Sequence, residues 1–168
     1  MMRVVFALGS NLGDRLGYLR SAAQQAAGEA ELHNLVCSPI YETEPVGGPA
    51  QDLYLNAVVL AQTTLPPDDL LVLAHQWERA AGRERTERWG PRTLDVDLIV
   101  VGDVLSHTHD LTLPHPLAHE RAFVLAPWHD VEPAAVLPGH GPILELLANL
   151  HHSGVVRRDD IDLQGASR

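Results

Sequence analysis

Arg88-Trp89-Gly90-Pro91-Arg92-Thr93-Leu94-Asp95-Val96-Asp97-Leu98-Ile99-Val100-Val101 opens as a basic loop and ends as an apolar run, closed by Gly102-Asp103. The second half reads as a β-strand: β-branched and apolar residues, no proline, then a turn pair. Strand side chains alternate between faces, so Asp95, Asp97 and Ile99 are expected on one face and Leu94, Val96, Leu98 and Val100 on a core face. The two carboxylates then lie roughly 6–7 Å apart, two residues at about 3.3 Å rise each. Like charges on one half-buried face repel, and cations beside them relieve that. Hard divalent ions such as Mg2+ take oxygen ligands and need only one or two carboxylates when a substrate's phosphates supply the rest. The plainer alternative is an edge strand with one solvated acidic face.

Arg79, Arg83, Arg85, Arg88 and Arg92 crowd the segment just before this strand. All 12 basic residues are arginine, with no lysine, in a chain of formal net charge −10, so this window is a local basic island. The planar guanidinium suits phosphate oxygens bidentately. Arginines feeding into paired aspartates are the pattern expected around a polyphosphate and its divalent ions. Some of them are expected to pair instead with Glu78, Glu84 and Glu87.

The stretch Arg88-Trp89-Gly90-Pro91-Arg92-Thr93-Leu94-Asp95-Val96-Asp97-Leu98 resembles the signature of the 6-hydroxymethyl-7,8-dihydropterin pyrophosphokinase family. Further landmarks recur in the same order: Gly9-Ser10-Asn11-Leu12, Tyr54-Leu55-Asn56-Ala57, Gly82-Arg83, and Leu111-Thr112 through Pro114-His115 to Arg121-Ala122-Phe123. The resemblance covers most of the chain, from about Val4 to the helix near Leu150.

Composition narrows the alternatives independently. A chain of 168 residues with 45% hydrophobic and 20% charged content is expected to form a single domain with a substantial core. The acidic balance argues against a nucleic-acid or membrane-surface role. Cys37 is the single cysteine, which excludes an intrachain disulfide and a CxxC site. The absence of lysine excludes a P-loop and Schiff-base chemistry, and no GxGxxG occurs. The apolar run before Gly9 is too short for a signal peptide, and no segment approaches a membrane span. A cytoplasmic protein is the expectation.

Along the chain, Val4 to Leu8 reads as a buried strand, and Asp14 is expected to cap a helix over about Arg15 to Ala27. Gly9-Ser10-Asn11 reads equally as a tight strand-to-helix connection with no ligand. Leu32 to Thr43 reads as one strand, irregular near Pro39. The Pro- and Gly-rich stretch Glu44 to Asp52 reads as a loop of the kind that covers a ligand. Leu53 to Thr63 is expected to be a strand with Tyr54, Asn56, Val58 and Leu60 on one face. Asn56 is unusual in mid-strand. Its amide suits the edge of a planar heterocycle, or is satisfied by neighbouring backbone. Pro66-Pro67-Asp68-Asp69 opens a helix whose stripe includes Leu70, Leu71, Leu73, Ala74, Trp77, Ala80 and Ala81. His107, His109, His115 and His119 raise a zinc alternative, in a spacing that matches no closed motif. Phe123 is more often core than ligand. Glu132 to Pro142 reads as loop, Ile143 to Leu150 as a last helix, and residues from about 153 as a loose polar tail.

The resemblance implies an α+β, ferredoxin-like fold, with an antiparallel sheet flanked by helices. It implies transfer of pyrophosphate from ATP to the hydroxymethyl group of 6-hydroxymethyl-7,8-dihydropterin, releasing AMP, in folate biosynthesis. Asp95 and Asp97 match the ligands of two Mg2+ ions. Arg83, Arg85, Arg88 and Arg92 match phosphate-binding positions, and Trp89 a loop residue that closes the site. Glu78, Thr112, His115 and Arg121 match nucleotide-site positions. Tyr54, Asn56 and Phe123 match the pterin pocket, and Thr43 and Val46 match positions whose backbone meets the pterin edge. A monomer acting on these two substrates, with neither nucleic acid nor membrane as partner, is expected. Departures from the family pattern are Glu44 where Pro is frequent, Pro116 after His115, Asp110 where some members carry Arg, and a segment between Gly82 and Arg88 one residue short. Two rivals stay open: a metal-dependent phosphohydrolase or nucleotidyltransferase using the same residues, and a non-catalytic ligand-binding module.

Overall fold

The computed structural model describes residues 1–45, 51–82 and 93–164. The elements are β1 (Met2–Ser10), α1 (Arg15–Gly28), β2 (His33–Cys37), β3 (Ile40–Thr43), β4 (Tyr54–Thr63), α2 (Pro67–Ala80), β5 (Asp95–Val101), β6 (Ser106–His107), β7 (Thr112–Leu113), α3 (Ala122–Val131), β8 (Val136–Leu137), β9 (Gly141–Pro142), α4 (Ile143–Ala148) and β10 (Val155–Arg158). The main sheet runs β10-β3-β4-β1-β5, with β2 also on β4, and every pairing is antiparallel. This is the expected ferredoxin-like α+β arrangement.

β1 and β4 are the spine, buried on both faces, and their alternation splits the core in two. Val4, Phe6, Leu8, Leu55, Ala57, Val59 and Ala61 face α1 and α2, where they meet Leu19, Ala22, Ala26, Leu70, Ala74 and Trp77. Val5, Val58 and Leu60 face the other way, onto Val124, Leu125 and Trp128 of α3 and Ile143 of α4. Period-2 strands thus feed a helical layer on each side. α1 starts where expected, with the Asp14 side chain accepting the Gly17 N–H at 3.1 Å. α2 begins at Pro67, with Asp68 and Asp69 in its positive first turn.

Several expectations need correction. Leu32 to Thr43 is two strands, because Pro39 has no N–H to give the ladder. Ser38 bridges the break: its hydroxyl accepts the Val58 N–H at 2.8 Å and donates to the Pro39 carbonyl at 2.8 Å. The face alternation of β5 holds only to Ile99. β1 pairs Phe6 with Leu98 and Val5 with Val100, so Ile99 is the extra residue of a bulge. Val100 therefore joins Ile99 on the α3 side, and Val101 takes the place on the α1/α2 side expected for Val100. In α2, Glu78 is buried where Ala80 was expected, and Ala80 is exposed. The stretch read as loop after Glu132 contains the β8–β9 pair.

The polar tail expected from about residue 153 is ordered in part. β10 pairs with β3, Val155 opposite Thr43 and Arg158 opposite Ile40. The chain then crosses to α1, where Arg20 donates to the Asp162 carbonyl at 2.9 Å and Leu163 is only 2% exposed. Ile161, partly buried against the same core, and Leu163 dock this otherwise polar segment. Leu163→Ala should cost about 2–5 kcal/mol, the usual range for a buried leucine, while Val156→Ala, at a 56% exposed site, should stay within about 0.5 kcal/mol. Urea denaturation of both variants checks this.

Candidate active site

The register of three central strands lays the site out. Gly9 of β1 is opposite Asn56 of β4 on one side and Asp95 of β5 on the other. Tyr41 of β3 extends the row beyond Asn56. In the next row, Ala7 separates Val58 from Asp97. All these residues share the sheet face covered by α3, since Val58 and Ile99 pack there. Asn56 and the carboxylate pair therefore sit on one face with only glycine and alanine between them.

At the acidic end, Asp97 is flanked by two side chains from the segment leading into α3. His115 Nε2 lies 3.9 Å and Arg121 3.5 Å from its Oδ2. The β5 bulge holds His115 there, because the Ile99 carbonyl accepts the His115 N–H at 2.8 Å. The imidazole Nδ1 accepts the Leu117 N–H at 3.2 Å. Nδ1 is then unprotonated, and the neutral ring carries its proton on Nε2, toward Asp97. Burial pushes the His115 pKa down to about 4, assisted by the Arg121 guanidinium and opposed by Asp95. Arg121 also lies over the Phe123 ring, 5.5 Å from its centroid. It thereby touches both the carboxylate strand and the aromatic side chain at the start of α3.

At the other end, Asn56 is 7% exposed and its amide is oriented from both sides. The Leu8 carbonyl, which can only accept, lies 3.5 Å from Nδ2. Oδ1 must then face the Thr43 hydroxyl, which donates to it at 2.6 Å. By count, one amide N–H remains to offer a ligand. Tyr41 is fixed in turn by its hydroxyl, which donates to Asp130 of α3 at 2.6 Å. Tyr54 is half-buried at the edge of this end, opposite Thr43. Asn11, 2% exposed, donates to Gln51 Oε1 at 2.7 Å and to the Asp52 carbonyl at 3.2 Å, tying the end of β1 to the segment that enters β4.

Glu78 is 5% exposed and turned inward: its Oε2 accepts the Val96 N–H at 3.0 Å, between the two aspartates. This carboxylate braces the β5 backbone from α2. Thr112 lies on β7, paired with His107. Val46, Arg83, Arg85, Arg88, Trp89 and Arg92 lie outside the described residues. The histidines of the zinc alternative are not gathered: among the described residues, no three of His, Cys, Asp and Glu are placed to hold a metal ion between them. His119 stacks on His140 instead, with centroids 4.1 Å apart and planes 12° apart. Two residues of this face carry no role in the sequence analysis: Gly9, read there as a turn residue and as part of a landmark of the resemblance, and Tyr41, whose sole signal is its spacing of two from Thr43.

Fold and site define an α+β protein in which half-exposed oxygen donors, beside a neutral imidazole and a guanidinium, share a sheet face with an oriented amide. The chain belongs to the 7,8-dihydro-6-hydroxymethylpterin-pyrophosphokinase (HPPK) family, whose model matches residues 5–133. It is 50% identical to the 2-amino-4-hydroxy-6-hydroxymethyldihydropteridine pyrophosphokinase of Mycobacterium tuberculosis over 163 residues, covering 89% of this chain and 85% of that one. The enzyme of that name from Methylorubrum extorquens is 38% identical over 157 residues, covering 94% and 99%. The one from Bacillus subtilis is 45% identical over 125 residues, covering 74% and 75%. Among solved structures, Plasmodium falciparum HPPK-DHPS has the same fold with a TM-score of 0.65 at 13% identity, covering 88% of this chain and 43% of that longer one.

Two outcomes follow from this geometry. The His115 ring, followed by NMR in the ion-free protein, should titrate near 4 rather than near the usual 6.5 or so. The unfolded chain binds that proton more readily, so this group's contribution to stability falls as pH drops from about 6.5 toward 4. Glu78→Ala strips the Val96 N–H of its acceptor and should cost about 1–3 kcal/mol in urea unfolding.

Proposed function

We propose that this chain transfers the pyrophosphoryl group of ATP to the hydroxymethyl group of 6-hydroxymethyl-7,8-dihydropterin, releasing AMP, with Asp95 and Asp97 as ligands of two Mg2+ ions. The observation that carries the reading is the shared row: Asn56 and Asp95 flank Gly9 on one sheet face. A ring held at Asn56 has its side arm directed along the sheet toward the carboxylates. The donor set fits Mg2+, being hard oxygens at partly exposed positions with room for water and phosphate ligands. When bound, the ions supply positive charge against the triphosphate and lower the pKa of the attacking hydroxyl.

The chain's own residues then have distinct tasks. Asn56, oriented by Thr43, donates to an acceptor on the pterin edge, and the Thr43 and Val46 backbones meet the same edge. Tyr54 and Phe123 supply ring faces to the heterocycle. Arg121, between Phe123 and Asp97, reaches a phosphate that lies between the two substrates. His115, neutral with its proton on Nε2, donates a hydrogen bond to a nucleotide oxygen without adding charge, and Thr112 serves the nucleotide nearby. Arg83, Arg85, Arg88 and Arg92 bind phosphates, and Trp89 helps exclude water from them. Glu78 acts through the Val96 backbone, as a positioning residue for the metal strand. No side chain among the described residues is placed as a separate general base. The lone cysteine and acidic composition accord with a cytoplasmic enzyme, and among the described residues no helix is long and apolar enough to cross a membrane. A monomer provides every residue named here.

Purified protein with ATP, Mg2+ and the reduced pterin, its nucleotides separated by anion exchange, tests the reading. AMP should appear only when pterin is present, and Asp97→Asn should abolish it. ADP, or product without pterin, would support the hydrolase or nucleotidyltransferase alternatives. Arg83→Ala and Arg92→Ala should lose far more turnover than stability, and unchanged turnover in both would remove the phosphate assignment. Thr43→Val should raise KM for the pterin about tenfold, the worth of one hydrogen bond. KM for ATP should not move, and Thr43→Ser should restore the pterin value.

A further inference from the structure

The last rung of the β3–β4 ladder is Thr43 opposite Tyr54. On its other side Thr43 meets Val155, the first residue of β10, so the rung is terminal in both ladders. Terminal pairs fray most readily, yet the Thr43 hydroxyl has to stay in place to orient the Asn56 amide. A second hold on this rung lies on the opposite face of the sheet. Glu42, two residues from Ile40 and opposite Leu55, points with both of them toward α1 and α2. There its Oε2 accepts from Arg15 Nη1 at 2.9 Å. The same nitrogen donates to the Leu53 carbonyl, also at 2.9 Å. One guanidinium nitrogen thus straddles the rung, joining the residue before Thr43 to the residue before Tyr54. Arg15 is the first residue of α1, the positive end of the helix, where a cation is unfavourable. Helix formation therefore does not explain this arginine, and its two partners do.

We propose that Arg15 is a positioning residue for the pterin: from the back of the sheet, through Glu42 and the Leu53 carbonyl, it fixes the Thr43–Tyr54 rung, and with it the hydroxyl that sets the Asn56 amide. Partly exposed ion pairs add little to global stability, and Arg15 and Glu42 keep 29% and 23% of their side chains exposed. The effect of this contact is therefore expected in the geometry of the rung rather than in unfolding. Arg158 supplies an internal control. It reaches the other oxygen of Glu42 at 3.4 Å and is otherwise paired with Asp160, so it holds the same carboxylate without spanning to Leu53. This rests on the pterin reading above, and the test separates the two.

The experiment titrates the pterin into wild type, Arg15→Met, Arg15→Lys and Arg158→Gln, each with Mg2+ and a non-hydrolysable ATP analogue. Absence of pterin binding by the wild type defeats the pterin reading and this proposal with it. Given wild-type binding, Arg15→Met keeps the apolar stem but no donor, and should weaken the pterin about fivefold, part of the worth of a charge-assisted hydrogen bond. Its affinity for the ATP analogue should not change. Arg15→Lys, whose ammonium can serve both acceptors, should recover most of the loss. Arg158→Gln should bind the pterin as the wild type does. In the ligand-free protein, the NMR signal of the Asn56 side-chain amide should move in Arg15→Met and hold its position in Arg158→Gln. Wild-type pterin affinity in Arg15→Met, or an unmoved Asn56 signal there, overturns the proposal. So does an equal loss in Arg158→Gln, because Arg15 would then act only as one more charge on Glu42.

Discussion

Register across β4, β1 and β5 is the constraint on which the rest of the molecule depends. Strand side chains have a period of two, so a one-residue slip would carry every side chain to the opposite face. The slip is prevented because β1 and β4 are buried on both sides, with Phe6 and Val5 each fully enclosed in a different half of the core. That packing places Asn56, Gly9 and Asp95 in one row. The carboxylate strand is thereby positioned by apolar residues of the core. Its like charges remain tolerable because Arg121 and the His115 N–H dipole lie beside Asp97.

The β5 bulge links this sheet to the segment that completes the site. A regular strand would keep Ile99 within the ladder to β1. The extra residue frees its carbonyl to accept the His115 N–H, and the Leu117 N–H then sets the imidazole's tautomer. From the same segment the chain passes through a short 3-10 turn, Ala118–Glu120, into α3, where Arg121 and Phe123 follow in succession. Bulges commonly occur where a strand must re-aim groups near a functional site, and this one is the backbone joint between the carboxylate strand and the residues facing it. Glu78 performs the matching task from the other side of the sheet, through Val96.

Features governed by neighbouring residues in the chain could be read from the sequence. The Asp14 cap, the proline start of α2, the alternation of β4 and the aspartate pair all follow from short spacing rules. The placement of Asn56 on the same face as Val58 followed as well. Features that depend on a distant partner could not be read. The bulge at Ile99 is set by pairing with β1, and Glu78 is buried because β5 needs an acceptor. Leu163 and Ile161 are docked on the core beside α1, though the residues next to each in the chain are polar. Gly9 looks like a turn residue until Asn56 is set opposite it. Which end of the Asn56 amide faces Thr43 is likewise a three-strand fact, decided by the Leu8 carbonyl.

The proposed function turns on a single claim, that ring recognition at Asn56 and ion binding at Asp95 and Asp97 are neighbours on one sheet face. The most direct measurement is paramagnetic broadening of a pterin labelled with carbon-13 at its hydroxymethyl group, bound with a non-hydrolysable ATP analogue and Mn2+ in place of Mg2+. The account expects strong broadening of that carbon, weaker broadening at the far edge of the ring, and loss of both in Asp97→Asn although the pterin stays bound. A bound pterin whose hydroxymethyl carbon stays sharp in the wild-type protein would contradict it.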